Sequence, residues 1–150
     1  MTYILDTNIL LHTVRNTALF EHIDSQFDPY GSQHETIISA VSVGEIYALA
    51  KKNRWGNTKI LMVKAIIRKC NIIPVEGESL MEIYADIDAF SDRNHPTMML
   101  SGSARTMGKN GLWIASTSAI FRGILLTTDG DFNHLHNVFF KVEYIDPQLY

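Results

Sequence analysis

Short apolar runs alternate along the chain with segments of helical spacing. Five runs have the length and the branched residues that are typical of buried strands. They cover residues 3–5, 36–39, 72–75, 124–127 and 142–145. Pro74 cannot donate a ladder hydrogen bond, so its run is predicted to lie at a sheet edge or a strand end.

The segments between these runs repeat their apolar residues at i, i+3, i+4 and i+7, which predicts helices. The predicted helices include residues 43–50, 60–67, 80–87 and 112–121. Ser42 and Ser79 are candidate N-caps, and Gly123 is expected to end the last helix. The segment 92–111 has no clear period. Strands that alternate with helices predict an α/β fold, in which a parallel sheet is covered on both faces.

Length and composition restrict the class of protein. A chain of 150 residues that is 46% hydrophobic can bury one sizeable core, so we expect a single domain over residues 1–150. Cys70 is the only cysteine and residues 1–6 lack a secretion-signal pattern, which predicts a reduced, cytoplasmic protein. No apolar run approaches the roughly 20 residues that cross a bilayer, so no membrane insertion is expected.

The distribution of charge is more informative than its sum. A net charge of -3 argues against a protein that coats nucleic acid indiscriminately. No acidic residue lies between Glu45 and Glu76, however, and seven of the 13 Lys and Arg residues do. Lys51, Lys52 and Arg54 begin this basic segment and are candidate RNA-binding residues. A solvated face of two helices explains the run equally well.

Four acidic residues follow predicted strands or begin the helix after one. Asp6 follows the first strand, Asp129 and Asp131 follow the fourth, and Glu45 lies early in the helix after the second. Ligands bind at the carboxyl ends of strands in an open parallel sheet, so these acids are expected to converge there. Two carboxylates 4 Å apart repel by about 4 kcal/mol at an effective dielectric constant near 20, so a cluster of acids favours a bound cation. Carboxylate oxygens are ligands that suit Mg²⁺ or Mn²⁺. Two such ions can hydrolyse a phosphodiester without a protein nucleophile.

Four segments carry a resemblance to a known family. They are Tyr-Ile-Leu-Asp-Thr-Asn-Ile-Leu-Leu at 3–11, Ser-Val-Gly-Glu-Ile at 42–46, Leu-Trp-Ile-Ala at 112–115 and Leu-Leu-Thr-Thr-Asp-Gly-Asp-Phe at 125–132. Together they resemble a PIN domain, and more narrowly the VapC-type toxins of bacterial toxin–antitoxin pairs. The resemblance implies a three-layer α/β/α fold with a central, mostly parallel sheet.

The resemblance also implies a function. Such a protein is an endoribonuclease that cuts tRNA or rRNA with carboxylate-bound Mg²⁺, forms a homodimer and is held inactive by an antitoxin. By position, Asp6, Glu45 and Asp129 match the catalytic acids that bind the metal. Asn8 and Thr127 match polar residues that orient those acids or a bound water. Asp131 matches a peripheral residue, and a plain turn residue is at least as good an interpretation.

One position departs from the family pattern. The family normally reads Asn-Asp-Leu-Trp-Ile-Ala before and into the helix at 112, whereas this chain has Gly111 after Asn110. Glycine supplies no ligand, so weakened or abolished metal-dependent activity is expected; Asn110 could supply an oxygen instead. Natural degeneration, an engineered change and survival of a disabled clone all explain Gly111, and the otherwise intact motifs favour the last two.

Two other functions remain as alternatives. The first is a catalytically inactive module of the same fold that binds RNA or an antitoxin without cleaving. The second is a phosphoryl-transfer or receiver-type protein, which is disfavoured because Asn8 replaces the second acid of an Asp-x-Asp pair and no Walker-type loop is present. The histidines at 95, 134 and 136 have no Cys or further His at zinc-ligand spacing and are interpreted as surface or loop residues.

Overall fold

Five parallel strands form one sheet in the computed structural model, which describes all residues from Met1 to Tyr150. The strands are β1 (Thr2–Leu5), β2 (Glu35–Ser39), β3 (Asn71–Ile73), β4 (Ile124–Thr127) and β5 (Lys141–Tyr144). The α-helices are α1 (Thr7–Arg15), α2 (Ala18–Phe27), α3 (Ala40–Lys52), α4 (Asn57–Arg68), α5 (Glu78–Ser91) and α6 (Lys109–Phe121). Two 3₁₀ helices follow, Gly130–Leu135 and Pro147–Leu149.

The strands lie in the order β3-β2-β1-β4-β5, with β1 at the centre. Tyr3 and Leu5 point to one face of the sheet and Ile4 to the other, and all three are buried. This is why the strand runs are continuously apolar rather than alternating. The predicted three-layer α/β/α fold with a parallel sheet is confirmed.

Two apolar cores cover the two faces of the sheet. One, which we term the α1–α4 core, contains buried residues of helices α1 to α4, including Ile9, Ile23 and Ile46. The other, the α5–α6 core, is built from Ile87 of α5, Ile114 of α6 and their neighbours. The carboxyl ends of β1 and β4 therefore open between helices of both layers.

The helix boundaries differ from the prediction in two ways. The proposed N-caps are wrong: Ser39 caps α3 by accepting a hydrogen bond from Val41 N at 3.2 Å, and α5 begins after Gly77, whose φ is 95°. Ser42 lies inside the first turns of α3, and Ser79 lies inside α5. Helices α1 and α2 were not predicted, because α1 follows β1 directly and the two apolar patterns merge.

The remaining expectations at the chain level have plain outcomes. β3 is an edge strand of three residues and ends just before Pro74, as predicted. Residues 92–108 contain no helix or strand. None of the helices has both the length and the apolar character required to span a membrane.

The close approach of α6 to β1 makes Gly123 a sensitive position. A Cβ at Gly123 would overlap Ile4 Cδ1 and lie 3.0 Å from Thr2 O, whereas a Cβ at Gly44 meets nothing within 4 Å. We expect Gly123→Ala to lower the free energy of unfolding by about 1–3 kcal/mol through overpacking. Gly44→Ala on helix α3 is the matched control and should raise it by up to about 1 kcal/mol. Urea unfolding of both variants measures this, and equal effects would contradict it.

Candidate active site

Three acidic side chains line one cavity at the carboxyl ends of the central strands. Asp6 follows β1, Asp129 follows β4 and Glu45 lies in the second turn of α3. The cavity they share has a volume of about 190 Å³. Asn110 and Gly111 of α6 also line it. The structure thus brings together the three acids that the sequence singled out and the glycine that departs from the family pattern.

Asp6 is the most constrained of these acids. Its side chain is buried, Oδ1 accepts a hydrogen bond from Thr7 N at 2.7 Å, and Oδ2 accepts one from Thr127 Oγ1 at 2.7 Å. The first bond caps α1, which explains why a helix begins immediately after the strand. Thr127 Oγ1 also accepts a hydrogen bond from Asp129 N at 2.9 Å. Thr127 therefore lies where an orienting residue is required, between the ends of β1 and β4.

Glu45 is positioned by Thr7, a residue that the sequence analysis missed. Thr7 Oγ1 donates a hydrogen bond to Glu45 Oε1 at 2.7 Å and lies 2.9 Å from Ser42 Oγ. Ser42 is completely buried, and it supports this contact instead of capping a helix. The only signal in the sequence was a hydroxyl directly after Asp6, and its partner is 38 residues away.

Asn8 lines the cavity without a side-chain hydrogen bond to the acids, and Asp131 lies outside the cavity lining. Asn8 lines the cavity with an exposed side chain and makes no side-chain hydrogen bond to an acid. Asp131 is exposed and lies outside the cavity lining; its backbone N donates to Asp129 Oδ1 at 2.9 Å. This bond caps the 3₁₀ helix Gly130–Leu135, so Asp131 serves a turn.

The cavity disfavours a negative charge on Asp6. Burial raises the pKa of this carboxyl to about 6 from 3.8, the hydrogen bonds from Thr127 and Thr7 oppose the rise, and the charges of Asp129 and Glu45 add to it. No Lys or Arg side chain lies within 4.0 Å of any carboxylate in the protein. The site therefore contains converging acids without a neutralising side chain, which favours binding of a proton or of a cation.

The donor set fits a hydrated divalent cation better than a closed metal cage. Carboxylate oxygens from Asp6, Glu45 and Asp129, with the amide of Asn110, are ligands of the kind that Mg²⁺ and Mn²⁺ prefer. No three His, Cys, Asp or Glu side chains are close enough together to form a complete ligand group. Mg²⁺ usually keeps several waters and takes one or two carboxylates, so the residues present fit such an ion.

The histidines have structural partners instead of metal-site geometry. His95 Nε2 lies 3.0 Å from Asp86 Oδ1, and His134 Nε2 lies 2.7 Å from Ser91 Oγ. His136 Nδ1 accepts a hydrogen bond from the backbone N of β5 at 2.9 Å. The sequence predicts surface or loop histidines; His95 and His134 are half-buried, and each has a hydrogen-bond partner within the protein.

Gly111 lies in the first turn of α6, on the wall of the cavity. A Cβ at this position would lie 3.6 Å from Phe132 Cζ and 3.7 Å from Met107 Cε, which are ordinary van der Waals distances. The Cβ of an aspartate at position 111 therefore causes no clash with its neighbours. It would also interact favourably with the N-terminus of α6.

The three candidate RNA-binding residues lie on two sides of α3. Lys52 lines a groove of about 560 Å³ that shares Glu45, Leu49 and Asn110 with the surroundings of the acids. Lys51 and Arg54 line a different pocket, between α3 and α4. Of these three residues, only Lys52 is therefore placed to contact a phosphate close to the acids.

The raised pKa of Asp6 predicts a pH-dependent effect of Asp6→Asn on stability in EDTA. Folded Asp6 keeps its proton up to about pH 6, whereas in the unfolded chain it is lost near pH 3.9, so Asp6 reduces stability as pH rises through this range. Asp6→Asn should raise the free energy of unfolding by about 1–3 kcal/mol at neutral pH and have little effect near pH 4. Asp131→Asn is the control for an exposed acid. Equal destabilisation by Asp6→Asn at both pH values would contradict the expectation.

Comparisons with known proteins give one family and a consistent fold. The family model described as PIN domain matches residues 3–137. Among solved structures, VapBC2 from Rickettsia felis has a TM-score of 0.76 at 17% identity, with 97% of this chain and 100% of that chain covered. FitAcB from Neisseria gonorrhoeae has a TM-score of 0.66 at 20% identity, with 93% and 95% covered.

A third similar structure is VapBC-5 from Mycobacterium tuberculosis, a member of the VapBC family of toxin–antitoxin systems, with a TM-score of 0.61 at 16% identity and 96% and 97% covered. A comparison with curated proteins gives no match. The structural similarities, all at low identity, concern the fold, and the family model spans most of the sequence. The chain therefore belongs to the PIN domain family.

Proposed function

We propose that this protein is a metal-dependent endoribonuclease of the VapC type, which hydrolyses phosphodiester bonds of tRNA or rRNA. The observation that carries the proposal is the convergence of Asp6, Glu45 and Asp129 on one cavity with no Lys or Arg beside them. Acids that share a cavity without a neutralising side chain favour a bound cation, and Mg²⁺, or Mn²⁺ in its place, is the ion that suits these oxygens and a phosphate together.

The residues of the site have separable roles in this proposal. A bound Mg²⁺ supplies Lewis-acid polarisation of a phosphate oxygen and lowers the pKa of a water. Thr127 and the backbone of Thr7 hold the Asp6 carboxylate in one orientation. Thr7 holds Glu45 through Oε1, which leaves Oε2 to accept a proton from the attacking water. Asn8 faces the cavity from solvent and is free to orient water or substrate.

Gly111 makes the proposed activity weak in this chain. The other acids of the family pattern are present, but the first turn of α6 contributes only Asn110 and a glycine to the cavity. An amide oxygen carries no net charge and binds Mg²⁺ less strongly than a carboxylate. The same observation supports the second candidate function, a PIN-fold module that binds RNA or an antitoxin without cleaving.

Two partners belong to the proposal. The similar structure VapBC-5 belongs to the VapBC family of toxin–antitoxin systems, which supports a cognate antitoxin for this chain as well. We further propose a homodimer and a cytoplasmic location, on the basis of the resemblance to VapC-type toxins and the sequence composition.

Restoring the missing acid tests the catalytic proposal directly. Gly111→Asp should increase Mg²⁺-dependent cleavage of total tRNA and rRNA by at least about tenfold, since even outer-shell partners of a metal contribute that much. EDTA should abolish the cleavage, and Mn²⁺ should support it. Gly111→Asn is the matched control, because it adds nearly the same volume without a charge, and it should cleave no better than the parent chain.

The outcomes separate the two candidate functions. Cleavage gained by Gly111→Asp alone, and only with metal, supports a disabled ribonuclease. No cleavage by either variant after removal of any co-purified partner favours the binding module and overturns the ribonuclease. Cleavage that resists EDTA would refute the metal-dependent mechanism for this site.

Lys52 provides a test of RNA binding that does not depend on catalysis. Lys52 lines the groove beside Glu45, and no carboxylate pairs with it. In EDTA, Lys52→Gln should weaken binding of single-stranded RNA and reduce the slope of log affinity against log salt by about 0.7, the value for one phosphate contact. Lys141→Gln removes the same charge from exposed β5 and should leave the slope unchanged. Equal slopes for both variants would exclude Lys52 from the RNA path.

A further inference from the structure

A second pocket, separate from the acids, combines aromatic and basic side chains. It has a volume of about 430 Å³ and lies between the C-terminal end of α3 and helix α4. Its polar and aromatic lining consists of Tyr47, Lys51, Arg54, Trp55 and Lys64. None of these residues is part of the carboxylate cavity, so the catalytic proposal does not account for them.

Trp55 forms a fixed aromatic wall of this pocket. Its backbone N donates a hydrogen bond to Ala50 O at 2.9 Å, and its half-buried ring packs against the α1–α4 core. Lys59 Nζ lies over one face of the ring, 4.1 Å from its centroid, and covers that face as a cation–π contact. Tyr47 adds a second aromatic group, with 41% of its surface exposed. The aromatic surface available to a flat ligand is therefore Tyr47 together with the part of the Trp55 ring that the core and the flexible Lys59 side chain leave uncovered.

The charges around the pocket favour a polyanion. Lys51, Arg54 and Lys64 line it, and no carboxylate lies within 4.0 Å of any of them. The sequence from 46 to 75 contains no acidic residue that could compete for these cations. Unpaired cations beside aromatic side chains are the arrangement that binds single-stranded nucleic acid, where bases stack and phosphates pair with Lys and Arg.

We propose that this pocket is a nucleotide-binding subsite for single-stranded RNA, in which a base contacts Trp55 and Tyr47 while neighbouring phosphates contact Lys51, Arg54 and Lys64. This inference rests on the proposed RNA substrate and adds a recognition site to it. A paired base is stacked within its duplex and cannot enter a pocket between two helices, so the subsite selects unpaired nucleotides.

The position of the pocket relative to the acids follows from helix geometry. The groove of about 560 Å³ beside the acids is lined by Val41, Glu45 and Lys52, on one flank of α3. The second pocket is lined by Tyr47 and Lys51, on the other flank of α3. These flanks are separated by one helix, about 10 Å across. An RNA strand that is cut at the acids crosses α3 to reach the pocket. The subsite therefore reads a nucleotide away from the cut bond.

Tryptophan fluorescence reports directly on this pocket. The chain has two Trp residues, and Trp113 lies elsewhere, packed at a tilt of 36° against Tyr84 with ring centroids 4.2 Å apart. A Trp113→Phe protein therefore carries Trp55 as its single tryptophan, which can be excited apart from the six tyrosines. We would titrate it in EDTA with single-stranded RNA of about 12 nucleotides, the same RNA as a duplex, and polyglutamate. Anisotropy of labelled RNA measures total binding in parallel.

The expected result is quenching by single-stranded RNA that is stronger than quenching by the duplex or by polyglutamate. Trp55→Leu should weaken binding of single-stranded RNA about tenfold, and Trp55→Phe should retain most of it. Tyr47→Ser changes an exposed side chain, so it tests the pocket even if a Trp55 variant folds poorly. Lys64→Gln should reduce the salt slope by about 0.7, and Lys141→Gln should not.

Three outcomes would overturn the subsite. RNA that binds by anisotropy without quenching Trp55 places the RNA elsewhere. Quenching by polyglutamate as strong as by RNA identifies an acidic peptide as the ligand, and equal quenching by duplex removes the selection of unpaired bases. Because all measurements are made in EDTA, they are independent of cleavage by Gly111→Asp, so failure of the subsite and failure of the ribonuclease are distinguishable.

Discussion

The buried carboxylate of Asp6 is the interaction on which the site and much of the local fold depend. One oxygen caps α1 through Thr7 N, and the other accepts the hydroxyl of Thr127 on β4. This side chain thus links the end of β1 to the start of α1 and to β4, which the backbone ladder already aligns with β1. The energetic consequence is unfavourable, because burial and two neighbouring acids oppose its charge. The residues around Asp6 therefore hold a carboxylate whose negative charge no Lys or Arg side chain neutralises.

The parts of the fold that the sequence predicts are those in which one physical signal dominates. β4 was predicted with its observed bounds. Four consecutive apolar or β-branched residues between Gly123 and Thr128 are too few for a helix and are typical of a strand that is buried on both faces. α1 was missed for the opposite reason. Its first residue follows the Asp6 cap without a loop, so the apolar pattern of β1 runs into that of the helix. Boundaries without intervening turn residues are hidden from pattern reasoning.

The acids of the site could be identified from the sequence, but the contacts that position them could not. Asp6, Glu45 and Asp129 could be identified because acids after strand ends share one edge of a parallel sheet. The bond between Thr7 and Glu45 could not, since it depends on how α3 packs against α1. That Lys51 and Lys52 line different cavities could not be predicted either. Adjacent residues on a helix point about 100° apart, and only tertiary packing decides which cavity each one faces.

Gly111 can be understood as a change that relaxes this charge cluster without disturbing its frame. A fourth carboxylate would add repulsion to a cavity in which burial, with smaller contributions from the charges of Asp129 and Glu45, already raises the pKa of Asp6 to about 6. Phe132 and Met107 lie at ordinary van der Waals distances from a Cβ at this position, so the wall of the cavity accepts the first atom of a side chain there. The glycine therefore reduces an electrostatic cost while the hydrogen bonds of Thr7 and Thr127 stay in place. Stability and cation affinity are opposed at this position. The negative charge of an added acid repels the other acids and lowers stability, and the same charge attracts the metal.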